Sequence, residues 1–209
     1  MILMIKDKSM DSDRTRIYLA RHGEVVKHGV YNGQNDVDIT LNGYQQMERL
    51  RDFLKDKSLA AVYSSDLQRT QKGAAIIAQP HSLEPRGFTH FREMHFGRWQ
   101  TLTYLEIMER YPEDIPQWVA NLETFCVPGG ESLMDVRNRA MPKLQELISS
   151  HPGQEIALIA HGALNRVILA EALNLSFAYL LRIEQNYGCL NIIEFAPSRT
   201  TVKLVNGLV

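Results

Sequence analysis

Apolar residues recur along this chain with two different periods. Short apolar runs rich in β-branched residues fall at residues 16–20, 60–64, 155–160 and 189–195, and each predicts a buried strand. A fifth run, residues 201–205, follows Ala196-Pro197-Ser198-Arg199, a turn sequence that predicts a hairpin with the fourth strand at a sheet edge. Between these runs the apolar spacing lengthens to that of a helix. Leu41, Tyr44, Met47, Leu50 and Leu54 predict one helical face behind an N-cap at Thr40. Asp66 predicts the cap of a second helix carrying Ala74, Ala75, Ile76 and Ile77. Leu133, Val136, Ala140, Leu144 and Leu147 predict a helix over residues 131–149, kinked at Pro142 because proline removes a backbone donor. Residues 163–173 are apolar enough for a helix packed on the sheet.

Strands alternating with helices of this length predict an α/β fold, a mostly parallel central sheet with helices on both faces. Residues 80–130 break the pattern. They are rich in charged and aromatic residues, contain no clear strand, and hold short helical pieces such as residues 102–111. They read as a short insertion that forms a lid or substrate wall over the C-terminal strand ends. Trp118 and Tyr111 read as packing residues of that insertion. The polar stretch before the first strand predicts a flexible leader over residues 1–15, with a single domain over residues 16–209.

Composition narrows the function classes. A net charge of −1 creates no overall field for nucleic acid or an anionic membrane, so any positive charge that matters is local. No apolar stretch approaches the roughly 18 residues of a membrane span, and the start is too soon charged for a signal peptide. Two cysteines, Cys126 and Cys189, fit free, mostly buried thiols and a cytoplasmic location. The edge of the final hairpin can pair with a second copy, which allows a homodimer.

Chemistry concentrates at the strand exits, where open parallel sheets bind their ligands. Arg21-His22-Gly23 follows the first strand and His161-Gly162 follows the third. A neutral imidazole is a competent nucleophile near pH 7, and the Arg21 fork suits phosphoryl oxygens. Arg69 stands in the first turn of the second helix, where a helix N-terminus and a guanidinium make an anion site. His161 opens the last core helix and can donate to the same anion. Transfer of a phosphoryl group to imidazole also needs a proton for the departing alkoxide. The insertion offers Glu84, Glu93, Glu106, Glu109, Glu113 and Asp114; Glu93 stands out among Phe91, Met94, Phe96 and Trp99. The seven histidines show no metal-ligand spacing such as His-Glu-x-x-His, and no metal or other cofactor is expected.

Leu19-Ala20-Arg21-His22-Gly23-Glu24 resembles the signature of the histidine phosphatase superfamily, the phosphoglycerate-mutase-like clan. The resemblance continues, in family order, through Ile39-Thr40-Leu41-Asn42-Gly43, Ser64-Ser65-Asp66-Leu67-Gln68-Arg69-Thr70, Arg92-Glu93-Met94-His95-Phe96-Gly97-Arg98-Trp99, Pro128-Gly129-Gly130-Glu131-Ser132 and Ala160-His161-Gly162. It implies His22 as the phosphorylated nucleophile, Arg21, Arg69 and His161 as the phosphate pocket, and Glu93 as proton donor. By the same resemblance Asn32 is a phosphate contact. His28 stands where the family often carries an asparagine, either as a surface loop residue or as a substrate contact. The short insertion resembles the phosphatase branch more than the mutases, whose larger insertion shields phosphohistidine from water. A metal-independent phosphomonoesterase acting on a small phosphorylated metabolite is therefore expected, with α-ribazole 5′-phosphate the leading named substrate. A phosphomutase and a non-catalytic phosphate-binding module are the alternatives.

Overall fold

A computed structural model describes residues 13–209. Among them, six strands form one sheet in the order β3-β2-β4-β1-β5-β6: β1 Thr15–Arg21, β2 Leu59–Ser64, β3 Arg86–Gly87, β4 Glu155–Ala160, β5 Leu190–Ala196 and β6 Arg199–Gly207. The first four of that order pair in parallel, and β5 and β6 run antiparallel. The two-residue β3 lies inside the segment read as strandless. It is exposed, pairs only with the end of β2, and is too short for any alternation to announce it. Of the expected leader, residues 1–12 lie outside the described residues. Thr15 is not part of a leader: it begins β1, is buried, and its hydroxyl donates to the carbonyls of Ile148 and His151.

Alternation along the strands builds a core on each face. Tyr18 and Ala20 of β1, with Ala157 and Ile159 of β4, pack under α1 (Leu41–Leu54) and α2 (Gln68–Ala78). Ile17 and Leu19, with Ile156, Leu158 and Ala160, pack under α5 (Leu133–Ser149) and α6 (Gly162–Leu173). The insertion joins this second core through Phe91, Met94, Trp99 and Ile107, and carries α3 (Tyr104–Arg110) and α4 (Asp114–Ala120). Those four side chains are buried, whereas Leu105 and Val119 of the two short helices stay exposed. Among the described residues no helix is long and apolar enough to cross a membrane.

Helix ends follow their caps. Thr40 accepts from the Gly43 N–H at 3.0 Å and starts α1, as its sequence predicts. The buried face of α1 begins at Gly43, however, and Leu41 is 76% exposed. Ser132 and Asp135 form a capping box that starts α5 two residues later than expected, and the helix runs through Pro142 as one element. Asp66 does not cap α2. It forms a fork-to-fork ion pair with Arg92, at 2.7 and 2.6 Å, and the α2 N-terminus is served by Asp36, which accepts from the Gln68 N–H at 2.7 Å. Both cysteines are free; Cys189 is buried as expected, but Cys126 is exposed.

Candidate active site

Strand register brings the two histidines together. Parallel pairing sets Arg21 opposite Ala160, so His22 and His161 are the next residues of two adjacent strands. The His22 N–H donates to the Ala160 carbonyl at 3.0 Å, and the ring centroids stand 5.2 Å apart, edge to face. Close backbone contact fixes the loop after His22. A Cβ on Gly23 would strike the Gly43 carbonyl, and one on Gly43 would strike that of Glu24. Glu24 completes the joint by accepting from the Thr40 hydroxyl at 2.9 Å.

The protonation of His22 follows from its partner. Its Nδ1 lies 2.8 Å from the Gly23 carbonyl, which can only accept, so Nδ1 carries the proton. The Nε2 lone pair then has no protein partner among the described residues. Burial first, and then the charges of Arg69 and Arg21, push the His22 pKa well below the ordinary histidine value. His22 is neutral at pH 7 and basic at the nitrogen that remains free.

Arg69 is 1% exposed, and its fork donates to the Asn35 carbonyl at 2.7 Å and the Gly33 carbonyl at 2.6 Å. Burial pulls its pKa down to about 10, so it stays charged at neutral pH. Its Nε donates to Nδ1 of His161 at 3.3 Å, which leaves His161 protonated on Nε2, donating to the Ser65 hydroxyl at 2.8 Å. His161 thus orients Arg69 as well as facing His22, and burial followed by Arg69 lowers its pKa too. Arg21 lies 3.9 Å from the centre of the Tyr187 ring and donates to the Gln185 carbonyl at 2.6 Å. Its Nε is buried without a partner.

Arg21, His22, Arg69 and Tyr187 border a cavity of about 280 Å³, whereas His161, expected in the phosphate pocket, is fully buried behind them with both ring nitrogens engaged and does not line it. Of the six acids considered in the insertion, Glu93 alone lines it. Glu106 is consumed by the α3 capping box, and Asp114 by Arg98 and the Trp99 indole. Glu93 is half-buried and does not share the apolar setting of its sequence neighbours. Phe91, Met94 and Trp99 turn into the core, while the carboxylate turns to the start of α6 and accepts from the Ala163 and Leu164 N–H groups at 3.2 and 3.3 Å. Asn32 lines the cavity with a buried, unpartnered Oδ1. His28 is exposed and does not line it. The far wall is apolar and aromatic: Val25, Tyr31, Phe96, Trp118 and Leu133. Trp118 also packs edge to face on Trp99 at 5.7 Å, so it serves both the core and the wall.

Sequence reasoning missed Ser65, Tyr187 and Arg166 as members of this site. Arg166 had a signal, since it follows Gly162 by one helical turn. Tyr187 had none, because it reaches the site from an irregular segment before β5.

Residues 17–207 match the sequence profile of the histidine phosphatase superfamily (branch 1). The chain belongs to that superfamily. Phosphoserine phosphatase 1 of Hydrogenobacter thermophilus is 28% identical over 193 residues, covering 91% of this chain and 92% of its own. The adenosylcobalamin/alpha-ribazole phosphatase of Escherichia coli is 22% identical over 193 residues, 91% of this chain and 95% of its own. A mycobacterial glucosyl-3-phosphoglycerate phosphatase has the same fold, with a TM-score of 0.84 at 26% identity over 93% of this chain and 99% of that one. The protein is a histidine phosphatase, a phosphoric monoester hydrolase.

Proposed function

We propose that the protein hydrolyses a small phosphorylated metabolite without metal, through phosphohistidine at His22. The observation that carries this reading is the Nδ1 bond to the Gly23 carbonyl, which leaves Nε2 as the one free lone pair of a neutral imidazole beside two guanidiniums. Nε2 attacks phosphorus, the ester P–O bond breaks, and Glu93 gives its proton to the departing alkoxide. The phosphorylated ring is cationic, and the Gly23 carbonyl accepting from Nδ1–H stabilises it. Water then attacks the same phosphorus, Glu93 takes its proton, and the N–P bond breaks to return neutral His22 and inorganic phosphate. Arg21 and Arg69 neutralise the phosphoryl oxygens throughout, each contact worth about 3 kcal/mol in the transition state. His161 keeps Arg69 aimed by accepting from its Nε, while Ser65 holds the other ring nitrogen. Asn32 completes the rim, and His28 takes no part.

Phosphate release in the presence of EDTA tests this reading, with wild type and His22→Ala compared on one panel. The panel holds O-phosphoserine, 3-phosphoglycerate, α-ribazole 5′-phosphate, a sugar bisphosphate and an aryl phosphate. Chelator-resistant release that falls about 10³-fold or more in His22→Ala is the expected outcome. Release that EDTA abolishes, or that survives the substitution, would sink the phosphohistidine mechanism.

A further inference from the structure

Arg166 is a cavity-lining cation that no step above uses. It stands on α6, half-buried, with its Nε donating to the Ile183 carbonyl at 2.7 Å. That bond ties the guanidinium to the segment that leads into β5, whose Leu180 and Leu181 also line the cavity. Among the described residues neither Nη atom has an acceptor, neither is sealed from the cavity, and no carboxylate comes within 4.0 Å of the guanidinium. A Cβ on Gly162 would stand 3.3 Å from Arg166 Nη1 and 3.6 Å from Arg21 Cζ. The two guanidiniums therefore flank the first residue of α6, and its missing side chain leaves room for both.

Charge decides what Arg166 is for. Arg21, Arg69 and Arg166 line the cavity against one acid, Glu93, which the phosphatase reading commits to proton transfer, and Arg21 and Arg69 suffice for a dianionic phosphoryl group. Arg166 is then a third guanidinium on the cavity wall, and its two Nη groups, free of protein acceptors, are open to a further anion. Burial, its largest influence, pulls its pKa below the usual arginine value, while Glu93 partly offsets the shift. The anchor at Ile183 holds the fork at the wall formed by the segment before β5, and Arg166 shares the start of α6 with the N–H groups that hold Glu93, the acid that meets the leaving group. We propose that Arg166 is a second anion subsite, and that the ester hydrolysed here carries on its leaving group a carboxylate or second phosphate that the Arg166 fork receives. This rests on the phosphatase reading and sharpens it. An ester with no second anion, such as α-ribazole 5′-phosphate, is then a poor substrate.

Two matched pairs test the subsite: 3-phosphoglycerate against glycerol 1-phosphate, and fructose 1,6-bisphosphate against fructose 6-phosphate. Wild type is expected to favour the anion-bearing member of at least one pair in kcat/KM, and that pair tells carboxylate from phosphate. In Arg166→Met the ratio within that pair drops roughly 10- to 100-fold, the loss of one charged hydrogen-bonding partner. Arg166→Lys, which keeps a charge but not the fork, drops it less, and supplies the test should Arg166→Met not fold. No preference in either pair overturns the proposal. So does an equal loss on both members, which would put Arg166 on the phosphoryl group instead. Calorimetric binding of the same four esters to His22→Ala separates the two readings. Anion-dependent binding without wild-type turnover would defeat the phosphatase reading and keep the subsite; turnover without anion preference would do the reverse.

Discussion

His22 is held by a bond that decides which of its nitrogens reacts, and its acceptor is the carbonyl of the very next residue. That contact is local, but its consequence is not. Only a neutral ring between two guanidiniums makes the free Nε2 a nucleophile, and the guanidiniums arrive from β1 and α2. Glu93 shows the limit of reading a residue from its sequence neighbours. An apolar run around it suggested an apolar pocket, yet its neighbours turn inward and the carboxylate turns to the N–H groups of α6. Its part as acid and base separates in a substitution. Glu93→Gln is expected to slow hydrolysis of alkyl phosphates by about 10²–10⁴-fold. With p-nitrophenyl phosphate, whose leaving group needs no proton, the same variant should release nitrophenol in a burst and accumulate acid-labile phosphohistidine. A steady-state loss without a burst would place Glu93 outside the second half-reaction.

At the scale of elements, caps supplied within a few residues were legible and caps supplied from afar were not. Thr40 and Ser132 close their own helices, and their side chains reach N–H groups three residues on. The α2 terminus is capped by Asp36, which is remote in sequence and reaches Gln68 only because the intervening chain folds back. Asp66 is thereby left for Arg92, a contact that ties the α2 approach to the insertion. The joint between the His22 loop and α1 shows why two glycines sit in the matching motifs. Gly23→Ala is expected to cost about 1–3 kcal/mol, because a backbone carbonyl rather than a flexible side chain stands in the way. Urea midpoints check the stability, and phosphate release should fall with it as His22 is pushed from its register. An alanine variant as stable and active as wild type would mean the two backbones can part at little cost.

For the whole molecule, the buried imidazoles couple stability to pH. His22 and His161 both have folded pKa values well below the unfolded value near 6.5. Above that value both are neutral whether folded or unfolded, and their contribution is fully present. As pH falls below it the unfolded chain takes up protons that the folded protein refuses, so stability is lost toward acid. Each histidine adds about 1.4 kcal/mol per pH unit across that range. Thermal melts from about pH 7.5 down to about pH 5 should show the decline, with a shallower slope in His161→Asn. Identical slopes would mean that His161 is protonated in the folded state.

The sequence by itself determined five of the six described strands, most helices, the family and the five residues expected to act, because each rests on local periodicity or on a motif a few residues long. His22 and His161 could be placed together from sequence alone, since each leaves a buried strand at the same end. Tertiary structure alone decided which groups those residues answer to. Strand register set the 5.2 Å between the rings, and the fold of the insertion carried Glu93 to α6. It also left His28 outside the cavity and Arg166 within it. Contacts between residues far apart in sequence leave no period to read, because nothing in the local pattern of polar and apolar positions depends on them.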